Sequence, residues 1–389
     1  MRTPLNTQDM ELLDYFIKTR NDKPQTKKQY KFTLSEYITY YNTTLTTLLD
    51  EAENEEEDGI RWKHRTLKRR LIEYRTYLFN KHSTNTAKHR FSRIRAFYKH
   101  FDIEVHDLPV FNKPKNTPPI NYKNLPDKEI IRAAIDIAPP VMKPIILFMA
   151  SSGCAKAETL NLTIMDYMKA TYDYHQTDNI KEMINRLNQI DDVIPTFNLK
   201  RQKTSKYYTT FCSPEAVRAI NLYLSDRKDP LTSEKKLFKI NKDHLTIKFG
   251  EINDELGLGK VGVFRRFRSH MLRKFHASAL MNDGMSRETI NDLQGKSKNC
   301  VDEAYFFNTD EALKEEYIQH LSAVTMSKEV EKVTVKSPEY ITLENKNRDL
   351  KDKVNQQQAK YDSIIKRIEA LENKEDSEIL SQFDKTRKQ

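Results

Sequence analysis

One segment of the chain is more informative about the fold than any other: residues 270–307 read HMLRKFHASALMNDGMSRETINDLQGKSKNCVDEAYFF. It opens with His270 and Arg273, three residues apart and therefore on one face of a helix. An arginine offers a planar fork to two phosphate oxygens, and a histidine can hydrogen-bond a third or move a proton. The pair alone is a weak signal, since this spacing occurs by chance in many helices. It gains weight from Lys296 and from Tyr305, which lies nine residues beyond that lysine.

The residues around the start of this segment are strongly basic. Lys260 to His276 contain six Lys or Arg and two His but no acidic residue, so this stretch is poorly suited to a core. Its arginines are predicted to contact a polyanion, and they are Arg265, Arg266 and Arg268. Residues 257–262 match the G-x-G-x-x-G pattern, but a helix-like stretch precedes them and bulky aromatic residues follow. We therefore interpret them as a turn rather than a dinucleotide site.

The composition limits the class of protein. The 389 residues carry 66 Lys and Arg against 56 Asp and Glu, a net charge of +10, with a mean hydropathy of -0.77. Two or three soluble domains with a polyanionic partner are expected. No run of eighteen apolar residues occurs and the N-terminus lacks a signal-peptide layout, which predicts a cytoplasmic protein with no membrane contact. The spacing of Cys154, Cys212 and Cys300 suits neither disulfides nor a metal, so structural thiols are expected.

A second basic region lies near the N-terminus. Residues 61–100 carry thirteen Lys or Arg against the single acid Glu73, directly after an acidic run at 51–58. An apolar stripe at helical spacing predicts that one face packs on a core, the stripe being Leu67, Leu71, Tyr74 and Leu78. Because charge of this density self-repels unless phosphates neutralise it, nucleic-acid contact is favoured over a merely solvated helix pair. The predicted contacts are Arg61, Lys63, Arg65, Lys68, Arg69, Arg70, Lys88, Arg90, Arg93 and Arg95.

The pattern of prolines and periodicity predicts a mainly α protein with a small β-hairpin, in four parts. An all-helical domain spans 1–107, and five prolines mark an extended linker at 108–126. An α+β domain spans 127–327. It should begin with a helix capped by Asp127 and contain two short strands, within 192–199 and 207–211, joined by a basic tip.

The segment 328–389 forms the fourth part. Leu343, Leu350, Gln357, Ile364 and Leu371 recur every seven residues, which predicts a helical tail able to form a coiled coil. A lone charged helix is the alternative.

The order and spacing within 270–307 resemble those of the tyrosine recombinase (phage integrase) family. That family has a His-x-x-Arg helix, a Leu-Gly-His-Ser turn and a nucleophilic tyrosine nine residues past the second histidine. His270, Arg273 and Tyr305 match residue for residue, and Lys296 occupies the position of the second histidine. The resemblance implies a site-specific recombinase that cuts and rejoins double-stranded DNA through a 3′-phosphotyrosine, without metal or cofactor, as a homo-oligomer that is tetrameric when two sites pair.

Residues 152–162 resemble the box that carries the family's first catalytic arginine, but Ala155 stands at the arginine position. Some archaeal integrase-like proteins resemble the chain in this box and in Ser213-Pro214-Glu215. Three interpretations remain open: Lys156 serves instead, another arginine such as Arg201 moves in, or the enzyme is slow or inactive.

The hairpin also fits the resemblance, which implies that a hairpin lysine protonates the leaving 5′-oxygen. Lys203 is placed closest to that role, with Lys200 and Lys206 as alternatives, and Arg201 is a further predicted DNA contact. Two other functions are compatible with the sequence: a DNA-binding protein of this fold whose catalysis is impaired, and an enzyme of the type IB topoisomerase kind.

Overall fold

The computed structural model describes residues 4–112, 122–296, 309–327, 343, 346–347 and 349–365. Within these ranges the chain is mostly helical with two small antiparallel sheets, which confirms the predicted fold class. It forms two compact units, Met1–Pro119 and Ile120–Gln389, whose boundary falls inside the predicted linker. Tyr305, Cys300 and the last predicted heptads lie outside the described residues.

The first unit is helical throughout its described part. Its elements are α1 (Thr7–Thr19), α2 (Pro24–Tyr41), α3 (Leu45–Glu57), a short 3-10 helix (Trp62–His64), α4 (Thr66–Lys81) and α5 (Thr84–His100). The predicted stripe of α4 is buried as expected, from Leu67 to Leu78. Tyrosines fill the centre of this core, where the hydroxyls of Tyr37 and Tyr98 are 3.2 Å apart.

The acidic residues of α3 neutralise part of the basic region. Arg65 is 9% exposed and forms an ion pair with Glu56, and Arg70 forms one with Glu51. These two arginines were predicted to contact phosphate. In the structure they hold α3 against the start of α4, because a carboxylate lies within reach of each, and their contact with phosphate stays a prediction. The acidic run at 51–58 and the basic region that follows it thus partly neutralise each other inside the first unit.

The second unit begins with a 3-10 helix (Tyr122–Asn124) and surrounds a buried helix. Its elements are α6 (Lys128–Ile137), α7 (Met142–Ser152), α8 (Lys156–Asn161), α9 (Ile164–Ala170), α10 (Tyr172–His175), α11 (Ile180–Leu187), β1 (Thr196–Lys200), β2 (Tyr207–Phe211), α12 (Pro214–Ser225), α13 (Lys242–Glu255), β3 (Lys260–Val261), β4 (Phe264–Arg265), α14 (Ser269–Asn282), α15 (Arg287–Leu293), α16 (Asp310–Gln319) and α17 (Leu321–Val324). Every residue of α7 from Pro144 to Ser152 is buried, and α12, α14 and β2 pack around it.

The local predictions for this unit hold with one shift. Asp127 caps α6 by accepting a hydrogen bond from the Ile130 amide. The hairpin pairs Thr196 with Phe211 at its open end, so β1 begins four residues later than 192. Pro195 explains the late start, since a proline has no N–H to donate to a strand ladder. The glycine-rich pattern is a turn region leading into the β3–β4 hairpin, as interpreted.

The tail is helical over 349–365. The large apolar residues in its described part are more than half exposed, and they are Leu343, Leu350, Val354, Tyr361, Ile364 and Ile365. Pairing of this helix stays a prediction. No helix in the described residues is long and apolar enough to cross a membrane.

Glu36 is a buried carboxylate inside the first unit, 3% exposed. Its Oε1 lies 3.1 Å from His82 Nε2 and 3.3 Å from Lys81 Nζ, and Oε2 forms an ion pair with Arg90. Burial alone would raise the pKa of Glu36, but the hydrogen bond from His82 and the charges of Arg90 and His82 outweigh it and lower the pKa. Arg90, a predicted phosphate contact, therefore stabilises the charged form of the buried Glu36 carboxylate.

We predict that Glu36→Gln destabilises the first unit by about 1–3 kcal/mol at neutral pH, because a charged acceptor is lost. A folded-state pKa below the unfolded value stabilises the protein above the unfolded pKa, and this is lost as the pH falls through the folded value. The difference from wild type should therefore shrink between pH 6 and pH 3. Urea unfolding followed by fluorescence of Trp62, the single tryptophan, measures it in this unit. The matched control is Glu53→Gln, an exposed acid. Equal losses for both variants would contradict the role of Glu36.

Candidate active site

Arg273 is the most deeply held cation of the region. It lies on the second turn of α14 and is 8% exposed. Its Nη1 donates to the Gly153 carbonyl and its Nη2 to the Gln294 carbonyl, both at 2.6 Å. Burial lowers the pKa of Arg273, but a guanidinium remains charged at any ordinary pH. The fold therefore fixes a permanent positive charge between the end of α7 and the end of α15.

Gln294 contacts Arg273 twice: its backbone carbonyl binds the guanidinium, and its side chain binds the backbone of Arg273. Its Nε2 donates to the Arg273 carbonyl at 3.0 Å and lies 3.1 Å from His276 Nδ1. Burial, followed by the charges of Arg273 and Lys296, lowers the pKa of His276 to about 3, so the ring is neutral. Because an amide nitrogen can only donate, Nδ1 accepts this hydrogen bond. Sequence reasoning missed Gln294 and His276.

Two glycines supply two of the three backbone carbonyls that hold the arginines of the site, and Gln294 supplies the third. Gly153 follows α7 with φ of 66°, and a Cβ there would lie 2.6 Å from His276 Nδ1. Gly295 follows α15 with φ of 58°, and a Cβ there would lie 2.6 Å from the Tyr208 ring. Both the backbone conformation and the close approach require glycine. Because the chain contains only eight glycines, the presence of glycine at these two positions is a feature of the sequence that could have indicated the site.

Arg201 reaches the same place from the hairpin. It is the first residue after β1, and its Nη1 donates to the Gly295 carbonyl at 2.6 Å. Lys296 comes next in the chain. Burial, then the charges of Arg273, Arg201 and Arg287, lower the pKa of Lys296. The structure thus brings together Arg273, Arg201 and Lys296, two of them predicted as catalytic and one as a DNA contact.

His270 lies three residues before Arg273 on α14, so the two residues share one face of the helix. Partial burial of its ring, then the charges of Lys274, Arg268 and Arg273, lower the pKa of His270, so the neutral imidazole is favoured. A cavity of about 750 Å³ adjoins both residues and is also lined by Ala155 and Lys156. Neutral imidazole beside a guanidinium can accept or donate a proton at an anionic group.

The remaining predicted catalytic residues are placed differently. Lys156 begins α8, and its Nζ donates to Thr246 Oγ1 on α13 at 3.0 Å. Burial and the charge of Lys242 lower the pKa of Lys156. Lys203 is exposed in the six-residue turn of the hairpin. Among the described residues, no group of three or more His, Cys, Asp or Glu is placed to hold a metal ion.

Several predicted DNA contacts are engaged within the protein. Arg265 donates to both carboxylate oxygens of Asp254, and Arg266 donates to the Lys123 and Leu125 carbonyls. These bonds explain why such a basic stretch folds: the arginines fasten the β3–β4 hairpin and the start of α14. The other partly engaged ones are Arg268 on the Arg265 carbonyl, Arg93 on Gln29 and Arg95 near Asp107.

The exposed cations remain as predicted phosphate contacts. Those that the structure leaves at the surface are Arg61, Lys63, Arg69 and Lys88, with Lys68 partly exposed.

We predict that Gly295→Ala disturbs the site more than a backbone penalty alone would. Gly257 is the matched control, because its φ is 61° but open space surrounds it. Gly257→Ala should cost about 1–2 kcal/mol for the left-handed conformation. Gly295→Ala should cost about 1–3 kcal/mol more, since Tyr208 must move. Thermal unfolding by circular dichroism measures both, and equal losses would show that the Tyr208 contact does not constrain the turn.

The comparisons with known proteins give structural neighbours only. No family model and no curated protein matches the sequence. The XerH site-specific recombinase bound to difH substrate is similar with a TM-score of 0.47 and 16% identity, over 79% of this chain and 83% of that chain. The XerA recombinase has a TM-score of 0.34 and 18% identity, over 80% and 98%. An integrase from mycobacterium phage Brujita has a TM-score of 0.36 and 10% identity, over 86% and 96%. Identities this low leave the function to be judged from the chain's own residues.

Proposed function

We propose that the protein cuts and rejoins double-stranded DNA at specific sites, with Tyr305 as the nucleophile. The observation that carries this proposal is the buried guanidinium of Arg273, which is fixed by two backbone carbonyls and whose charge acts on both His270 and Lys296. A salt bridge would satisfy a buried arginine as well, but here both groups that accept hydrogen bonds from Arg273 are neutral backbone carbonyls. The positive charge therefore stays available for a phosphate.

The chemistry follows from these groups. The Tyr305 hydroxyl loses its proton and attacks phosphorus, the bond from phosphorus to the 5′-oxygen breaks, and the DNA remains linked through a 3′-phosphotyrosine. Arg273 and Lys296 stabilise the extra negative charge of the transition state. Neutral His270 is suited to take up the tyrosine proton, and Lys203 gives a proton to the leaving 5′-oxygen. Attack by a 5′-hydroxyl reverses these steps and reseals the strand without an external energy source.

A DNA-binding protein without catalysis is the second candidate, and Ala155 is the observation that favours it. It stands where the resemblance implies an arginine. In that case the exposed cations of the first unit and of the hairpin would bind phosphates, and Tyr305 would have no chemical role.

We predict that Tyr305→Phe abolishes covalent attachment to DNA and leaves DNA affinity within about twofold of wild type, because the hydroxyl supplies chemistry and little binding. Nicked duplexes containing a candidate attachment site trap the covalent product, which a denaturing gel separates. Tyr361→Phe in the tail is the control and should retain the adduct. An adduct that survives in Tyr305→Phe would refute this nucleophile. Salt-sensitive binding without any adduct would favour the second candidate.

We further propose that the tail joins copies of the chain through its heptad seam. Leu350 and Val354 are 58% and 60% exposed on one helix, an arrangement that a second helix would cover. Leu350→Asp should lower the mass measured by size-exclusion chromatography with light scattering. Asn355→Asp, an exposed position next to the seam, adds the same single negative charge and should leave the mass unchanged. A wild-type chain that is monomeric at high micromolar concentration would contradict the proposal.

A further inference from the structure

We propose that Arg201 is a catalytic cation of this site and that, with Arg273 and Lys296, it binds the phosphate that reacts. The catalytic part of this inference rests on the proposed function. The anion-binding part does not. It names a position for the cation that is missing at Ala155.

The first argument is the geometry of the shared turn. Arg273 Nη2 binds the carbonyl of Gln294 and Arg201 Nη1 binds the carbonyl of Gly295. These are adjacent peptides, whose Cα atoms are about 3.8 Å apart. Both guanidiniums are therefore anchored on one turn, and, besides burial, the charge of Arg201 lowers the pKa of Arg273, as expected of two cations near a common anion site.

The second argument is that the backbone holds Arg201 from both sides. At the base of the hairpin turn, its N–H donates to the Lys206 carbonyl at 2.7 Å, and its carbonyl accepts from the Ser205 N–H at 2.8 Å. The Gly295 carbonyl occupies one of its five N–H donors. A cation positioned in this way costs little reorganisation when an anion arrives.

The third argument is electrostatic. Arg201 acts on both Arg273 and Lys296, since its charge is among the causes that lower the pKa of each, after burial. Like charges this close repel one another, and carbonyl dipoles offset only part of the cost. A phosphate carries the charge that would neutralise the cluster.

Lys156 is the rival for this role, because it lines the same cavity as Arg273. Its ammonium is bound to Thr246 Oγ1 on α13, however, and it lacks the planar fork of an arginine. Arg201, by contrast, is anchored on the carbonyl of Gly295, in the turn that leads directly into Lys296. The two positions therefore make different predictions.

The first experiment needs no DNA target. Inorganic phosphate is titrated against the full-length protein at constant ionic strength set with chloride, and thermal unfolding is recorded. Wild type should gain stability with saturation, and Arg201→Ala should weaken the apparent affinity on the order of tenfold to a hundredfold. Arg201→Lys should recover only part of it, because the charge returns without the fork. Lys156→Ala should weaken the affinity clearly less than Arg201→Ala does. Unchanged melting of each variant in chloride shows that it has folded.

The second experiment links the site to the reaction. On nicked duplexes at saturating protein, Arg201→Ala should slow adduct formation at least tenfold while DNA affinity falls less than threefold. Lys156→Ala should slow it clearly less, and the exposed Lys228→Ala should leave the rate unchanged. A loss of rate that is larger than the loss of affinity identifies a catalytic cation, because removal of a general DNA contact would lower the rate and the affinity equally.

The outcomes distinguish this inference from the proposed function. Full phosphate binding and full adduct rate in Arg201→Ala would overturn the role of Arg201, while an adduct in wild type would still support the proposed function. Loss of both in Lys156→Ala, with Arg201→Ala unaffected, would assign the role to Lys156. No adduct in wild type, together with phosphate binding that depends on Arg201, would reject the catalytic role and retain the anion site.

Discussion

The candidate site depends on one constraint: two backbone carbonyls must point at two guanidiniums. Gly153 and Gly295 each follow the end of a helix and have a left-handed backbone conformation. The His276 ring lies directly against Gly153, and the Tyr208 ring lies directly against Gly295. A carbonyl fixed in this way can hold an arginine without neutralising it. A carboxylate in the same place would give a stable ion pair and remove the charge that a phosphate needs.

The chain holds some arginines by carboxylates and others by backbone carbonyls, in different places. In the first unit, Glu36, Glu51 and Glu56 neutralise Arg90, Arg70 and Arg65, and these arginines serve packing. In the second unit, Arg273 and Arg201 are held by carbonyls. The net charge of the chain does not reveal this difference. The partners of each cation decide whether it is structural or available, and those partners come from other parts of the fold.

This explains how far the sequence could predict the molecule. Helical periodicity, the Asp127 cap and the glycine-rich turn are local patterns, and the structure confirms them. The ion pairs of Arg65 and Arg90 span 9 and 54 residues, and no local pattern encodes them. The bond from Arg201 to Gly295 spans 94 residues, so a motif search assigns Arg201 only to a generally basic hairpin. The sequence alone does not identify Gln294, because its side chain acts through hydrogen bonds to residues of α14 that lie 21 and 18 residues away in the chain.

The same reasoning changes the meaning of Ala155. A sequence motif records the position from which a catalytic group is usually supplied, whereas the reaction requires only that a guanidinium reach the phosphate. Ala155 leaves its own position without a cation, but the hairpin passes close enough for Arg201 to bind the turn that leads into Lys296. The substitution is therefore weak evidence against catalysis as long as a second fixed cation lies beside Arg273. What decides its importance is whether Arg201 and Arg273 bind the same phosphate, which is a property of the anion site and not of the motif.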